Sequence, residues 1–342
     1  MKKTITNVPA SVHARLLAWA HREREDFNLT LQRYVAERFL YRLGASPHRQ
    51  QFILKGAMLL PLWGGDLYRP TRDVDLTGYA SNDPTALIGI IKGICAIPCE
   101  QDGLSFEAAS VRAEPIRDSS EYRGFRLRFQ VRLGNAKLSF QVDVGFGDAV
   151  EPAAVEQDYP TLLDGPAPRV RVYPREAVIA EKLHAMVVHG QANTRFKDFY
   201  DVFTLARRFE QDGEALARSV VATFERRGTA LPSNRPERIT TEGGVDLSTE
   251  SGEFLTTEGG RPHALTPAFF ADAARQAAWV GYLDRSGVTE APRDFSAVGE
   301  VLIAFLGRLI DGIADGGTVA GRWRPGEGWT DEDTSNTARQ NG

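Results

Sequence analysis

Apolar residues recur along this chain with two periods, one helical and one extended. Near the N-terminus Leu16, Leu17 and Ala20 form a helical stripe, predicting a helix over 12–25 with Ser11 as its N-cap. Leu31, Tyr34, Val35, Phe39 and Leu40 predict a second over 29–43, ended by Gly44. Arg33, Arg38 and Arg42 then fall on its solvated face. The apolar run over 51–62 reads as a third helix, stopped by Gly64-Gly65. Asn82-Asp83-Pro84 starts a fourth, reaching about Cys95.

Between and beyond these the period falls to two. A strand is expected over 72–76. Over 125–133, Phe125, Leu127, Phe129, Val131 and Leu133 alternate with Arg126, Arg128, Gln130 and Arg132. Gly134-Asn135 marks a turn, and over 138–146 the apolar set is Leu138, Phe140, Val142, Val144 and Phe146. A hairpin that joins the two apolar faces puts Asp143 on the face of the arginines.

From Pro174 the spacing is helical again. Ile179, Leu183, Met186 and Val187 make a stripe that Gly190 ends, with Glu181 and Lys182 beside it. Asn193 or Thr194 caps the next helix, RFKDFYDVFTLARRF, whose Phe199, Val202, Phe203 and Ala206 face inward. Lys197 and Asp201 are spaced for an i, i+4 pair. Further helices are expected over 219–227, 267–283 and 295–313. The expected organisation is N-terminal packing helices over 1–45, a core over 46–172, a helical region over 173–315 and a flexible tail over 316–342. Residues 240–266, where TTEGG occurs twice, read as a low-complexity insertion or loop.

Composition adds bounds. The 342 residues carry a net charge of −4, so any nucleic-acid contact must come from a local basic patch. Cys95 and Cys99 lack metal-site spacing and read as reduced thiols of a cytoplasmic chain. The N-terminus has no continuous apolar stretch of the signal-peptide kind, and no run reaches the ~20 residues that span a bilayer.

The candidate chemistry lies in 52–76, FILKGAMLLPLWGGDLYRPTRDVDL. Asp73 and Asp75, two apart on a strand, share one face. Paired surface acids would show the same spacing, with Arg69 and Arg72 as partners. The small residues of Gly56-Ala57 could equally let the backbone approach a phosphate, making Asp73 and Asp75 metal ligands. Asp143 is either a third carboxylate for Mg²⁺ or an acid balanced by its arginine neighbours. Lys182 either reaches solvent along its stripe or meets a triphosphate. Asp198 and Asp201 are favoured near a helix N-terminus by its dipole alone.

Four separated stretches, FILKGAMLL, RPTRDVDL, EKLHAMV and RFKDFYDV, together resemble the AbiEii/AbiGii-type nucleotidyltransferase toxins. The resemblance is good over 33–209 and looser beyond. It implies an α/β (α+β) nucleotidyltransferase fold, a mixed sheet flanked by helices with a helical C-terminal region. It further implies a toxin of a toxin–antitoxin pair that uses one or two Mg²⁺ ions and a nucleoside triphosphate (NTP). The acceptor would be RNA, the 3′ end of tRNA, and the partner a DNA-binding antitoxin from the neighbouring gene. Lys55, Gly56 and Ala57 match the first motif, where Ala57 lacks the hydroxyl of a Gly-Ser pair and leaves only backbone contacts to phosphate. Arg69, Thr71, Asp73 and Asp75 match the second and Lys182 the third. Lys197, Asp198 and Asp201 match the fourth, with Asp198 as the functional acid. Arg126, Arg128 and Arg132 are either a solvated strand face or a guide for phosphates. Two alternatives remain, a small-molecule nucleotidyltransferase of the antibiotic-modifying type and a non-catalytic nucleotide- or partner-binding module.

Overall fold

The computed structural model describes residues 7–64, 69–79, 82–116, 124–232, 262–316 and 319–331. The chain divides into two compact units, Met1–Asp148 with Ala153–Tyr173 and Ala149–Pro152 with Pro174–Gly342.

The first unit opens with α1 (Val8–Glu23) and α2 (Phe27–Ala45). Asn7, not Ser11, caps α1, its Oδ1 accepting from the Ala10 N–H, because Pro9 fits the first turn. Asp26 caps α2. Gly44 lies inside α2 instead of ending it. A Cβ there would meet the Arg169 carbonyl oxygen at 2.3 Å, so this glycine lets helix and strand approach.

The run over 51–62 is not one helix. It divides into β1 (Phe52–Lys55), a 3-10 turn (Gly56–Leu59) and α3 (Leu60–Trp63). A buried strand and a buried helix both read as continuous apolar sequence, and here Gly56, at φ +73°, separates them. There follow β2 (Asp73–Gly78), α4 (Pro84–Cys95), β3 (Leu104–Pro115), β4 (Gly124–Leu133), β5 (Ala136–Phe146), β6 (Val155–Asp158) and β7 (Arg169–Val172). β3 is absent from the sequence-based expectation because its polar and apolar residues do not alternate cleanly around a bulge between Glu107 and Arg112.

The sheet order is β3-β4-β5-β2-β1-β7-β6. The pairs β2–β5 and β1–β7 are parallel and the others antiparallel, so the expected mixed sheet is present. β4 and β5 form the expected hairpin, with Phe125 opposite Val144 and Arg126 opposite Asp143. Phe39 of α2 packs on Phe129 and Phe140, ring centroids 5.9 and 5.7 Å away, on the apolar side of this hairpin. Arg38 and Arg42 are buried, contrary to the solvated face assigned to them. Arg42 reaches Asp102 at 2.5 Å, and Arg38 pairs with Glu37 at 2.7 Å and donates to the Pro166 carbonyl. Helical periodicity placed the arginines together but could not show that polar partners wait for them.

The second unit holds α5 (Arg175–His189), α6 (Phe196–Arg208), β8 (Gln211–Asp212), α7 (Gly213–Arg226), α8 (Pro267–Phe270), α9 (Ala273–Ser286), α10 (Phe295–Ala314), β9 (Arg322–Arg324) and β10 (Gly328–Thr330). Phe199, Phe269, Phe270, Trp279 and Phe295 form its aromatic core. Most of the expected insertion over 240–266 lies outside the described residues. At its end His263–Leu265 forms a 3-10 turn in which Ala264 and Leu265 are buried, so those residues belong to the core. Residues 319–331, assigned by composition to a flexible tail, instead build β9 and β10 on β8. Trp323 anchors them, buried, its indole N–H donating to the Ala206 carbonyl at 2.7 Å. Of that tail, 317–318 and 332–342 lie outside the described residues. Among the described residues no helix is long and apolar enough to cross a membrane.

Candidate active site

Strand register assembles the site in the first unit. Asp75 of β2 lies beside Asp143 of β5 and opposite Lys55 of β1. Asp73 lies beside Gln141. Directly paired residues point to one face, so these side chains share the face opposite Phe129 and Phe140. Asp73, Asp75 and Asp143 each offer a carboxylate oxygen within 4.8 Å of the other two. Three hard anionic oxygens at this spacing fit a divalent cation better than they fit one another.

The surroundings hold the carboxylates in place. Thr71 donates to Asp73 Oδ1 at 2.6 Å, and Gln141 Nε2 lies 3.5 Å from Asp73 Oδ2. Arg126 donates to both oxygens of Asp143, Nε at 3.0 Å and Nη2 at 2.7 Å. That hydrogen bond raises the Arg126 guanidinium above its ordinary pKa. Arg126 is therefore the direct partner of a candidate ligand. Arg128 pairs with Glu114, and Arg132 with Glu107.

Gly56 is required by geometry. Its φ of +73° is unfavourable for L side chains, and a Cβ would fall 2.1 Å from Asp75 Oδ2. The motif thus brings its turn directly against the second aspartate. Ala57 is buried and Arg69 half-buried. Lys55 Nζ donates to Asp148 Oδ2 at 2.6 Å, and the Thr77 hydroxyl donates to the same oxygen at 2.8 Å. Thr77 is also 2.8 Å from the Tyr173 hydroxyl. Sequence reading missed Asp148, Thr77 and Tyr173. Asp148 is 93 residues from Lys55, outside any spacing rule.

The remaining motif residues come together in the second unit. Lys182 of α5 donates to Asp198 Oδ1 at 2.9 Å and meets Asp201 at 2.7 Å. Arg195 donates to Asp198 Oδ2 at 2.6 Å. Burial pushes the Asp198 carboxyl up, but Lys182 and Arg195 outweigh it and hold the group well below the usual range. Lys197 is exposed, so the expected Lys197–Asp201 pair gives way to Lys182. Both aspartates are buried, which a helix dipole alone would not explain.

The three carboxylates lie on the inner strands of a mixed sheet beside a glycine turn, where they could hold a metal ion. The family match supplies the class of protein, a nucleotidyltransferase. The family is more specific still. Residues 38–301 match the nucleotidyl transferase AbiEii toxin family of type IV TA systems, and the chain belongs to it. Two solved structures resemble it in part. One is an H. pylori protein with a provisional nucleotidyltransferase assignment, 20% identical over 56% of this chain and 78% of that one, with a TM-score of 0.34. The other is JHP933 from Helicobacter pylori, 18% identical over 56% and 76%, with a TM-score of 0.33. No curated protein matches the chain. Membership brings with it a nucleotide substrate and an antitoxin partner.

Proposed function

We propose that this toxin transfers a nucleoside monophosphate from an NTP to the 3′ end of an RNA acceptor, tRNA, in a Mg²⁺-dependent reaction in the cytoplasm. A DNA-binding antitoxin from the neighbouring gene would be its partner. The observation that carries the reading is the cluster of Asp73, Asp75 and Asp143. These three residues would hold one or two ions. A bound divalent ion supplies charge neutralisation for the triphosphate and the departing pyrophosphate.

The protein's own groups do the rest. Backbone N–H groups at Gly56 and Ala57 bind phosphate oxygens, since Ala57 has no hydroxyl to offer. Lys55 and Arg69 add positive charge for the triphosphate. Lys182, which pairs with Asp198, and the exposed Lys197 are the second unit's motif residues, and the family resemblance gives them the neutralisation of triphosphate charge. The 3′-hydroxyl oxygen of the acceptor attacks the α-phosphorus in line, and the bond to the β-phosphate oxygen breaks, releasing pyrophosphate. Asp143 takes the hydroxyl proton when it is not a metal ligand.

The test is incubation of purified protein with total tRNA, Mg²⁺ and each of four α-labelled NTPs in turn. Label is expected in the tRNA band with at least one NTP. Asp73→Ala should lower that labelling by at least ~100-fold while leaving the circular dichroism spectrum unchanged. Full activity in that variant would remove the metal assignment. Label on an added aminoglycoside, with none on tRNA, would replace the RNA acceptor by a small molecule. Triphosphate binding without any product would make the protein a binding module.

A further inference from the structure

The face that carries the aspartates continues across the sheet. Register aligns Glu114, Arg126, Asp143, Asp75 and Lys55 in one row over β3, β4, β5, β2 and β1. A second row aligns Arg112, Arg128, Gln141 and Asp73. Paired residues share a face, so the arginines of β3 and β4 stand on the face of the acidic cluster. The bulge between Glu107 and Arg112 pulls β3 out of register beside them. A cavity of about 360 Å³ lies there, and Arg112, Arg126, Arg128, Glu114, Gln130 and Ser139 line it.

Among the described residues the charge that lines this cavity is unbalanced. Arg126 is matched by Asp143, and Arg128 by Glu114. Arg112 instead donates to the neutral carbonyls of Ala109 and Val111, at 3.0 and 2.9 Å. The described lining therefore carries net positive charge in a chain whose overall charge is negative. Ser139 and Gln130 add neutral polar groups. Two strand spacings, ~10 Å, separate β4 from β2, so a group bound here would adjoin one reacting at the aspartates.

We propose that this cavity binds backbone phosphate of the RNA acceptor, next to its reacting 3′ end, through Arg112 and Arg128. The proposal rests on the RNA acceptor proposed above. Glu114 acts against it, holding Arg128 until phosphate displaces the carboxylate. Arg126 forms the wall shared by this cavity and the acidic cluster.

The test uses 5′-fluorescein tRNA and fluorescence anisotropy between 50 and 200 mM salt, on full-length protein. The double variant Arg112→Ala/Arg128→Ala should bind tRNA about tenfold more weakly, with the slope of log affinity against log salt reduced by ~0.7–0.9 per arginine. Its KM for NTP should not change. Glu114→Gln, which frees Arg128, should bind more tightly. Two outcomes overturn the subsite alone: wild-type protein labels tRNA while a natively folded double variant binds it equally well, or the double variant raises the KM for NTP instead. Wild-type protein that neither binds nor labels RNA overturns the acceptor class and this inference with it.

Discussion

Gly56 and Asp75 show how narrow the tolerances are for single residues at the site. The glycine is needed both for its positive φ and for the space that the Asp75 carboxylate occupies. Gly56→Ala must strain the backbone or displace Asp75. It should destabilise the protein by ~1–3 kcal/mol and reduce nucleotidyl transfer by more than that loss of folded protein explains. Urea denaturation and a labelling assay at a temperature where the variant is fully folded separate the two effects. The neighbouring Ala57 tells less, because a side chain without polar atoms leaves phosphate binding to the backbone. Asp73 and Asp75 could be read from spacing alone, since a strand has a period of two. The partner of Lys55 could not, since Asp148 arrives from beyond the end of β5.

The helix α2 illustrates what an element adds to its residues. Its apolar face was visible as a stripe, and Phe39 packs where that stripe requires. Its charged residues behave differently from a solvated face. Glu37 is buried and accepts from the Leu162 N–H at 2.7 Å while pairing with Arg38. Burial pushes its carboxyl up to about 7, the Arg38 charge and the Leu162 hydrogen bond opposing this only in part. The folded protein therefore holds this proton more tightly than the unfolded chain does. The resulting stabilisation is complete below the unfolded value of 4.5 and is lost as pH rises through about 7. Glu37→Gln keeps an acceptor for Leu162 and cannot titrate. The melting temperature of wild type minus that of Glu37→Gln should fall as pH rises from 4.5 to about 7 and level off above that, whereas a flat difference throughout would place Glu37 in an ordinary environment.

At the scale of the whole molecule, each unit has a core of its own, and the second is closed by its last described residues. Trp323 rests 5.0 Å from Phe305, ring to ring, and donates to α6. Trp323→Ala should cost ~3–5 kcal/mol in urea unfolding, as expected for a buried aromatic and not for a frayed end. A change below ~0.5 kcal/mol would restore the flexible tail that composition suggested. Composition erred here because Gly, Asp and Thr dominate the stretch, while two tryptophans supply the packing.

What the chain determined by itself is local and periodic. The hairpin of β4 and β5, the shared face of Asp73 and Asp75, the place of Asp143 on the polar face of its hairpin, the helices α4 to α6 and the family motifs all follow from spacing within short segments. The tertiary structure alone decided which distant groups meet. It turned the apolar run around Phe52 into a central strand, moved Arg38 and Arg42 inside against Glu37 and Asp102, and gave Asp201 to Lys182. It also set Arg112 and Arg128 around one cavity. A side-chain period is a property of neighbours along the chain. A buried ion pair or a bulge-lined cavity depends on partners 60 or 93 residues apart, as Arg42–Asp102 and Lys55–Asp148 are, and no local pattern encodes that meeting.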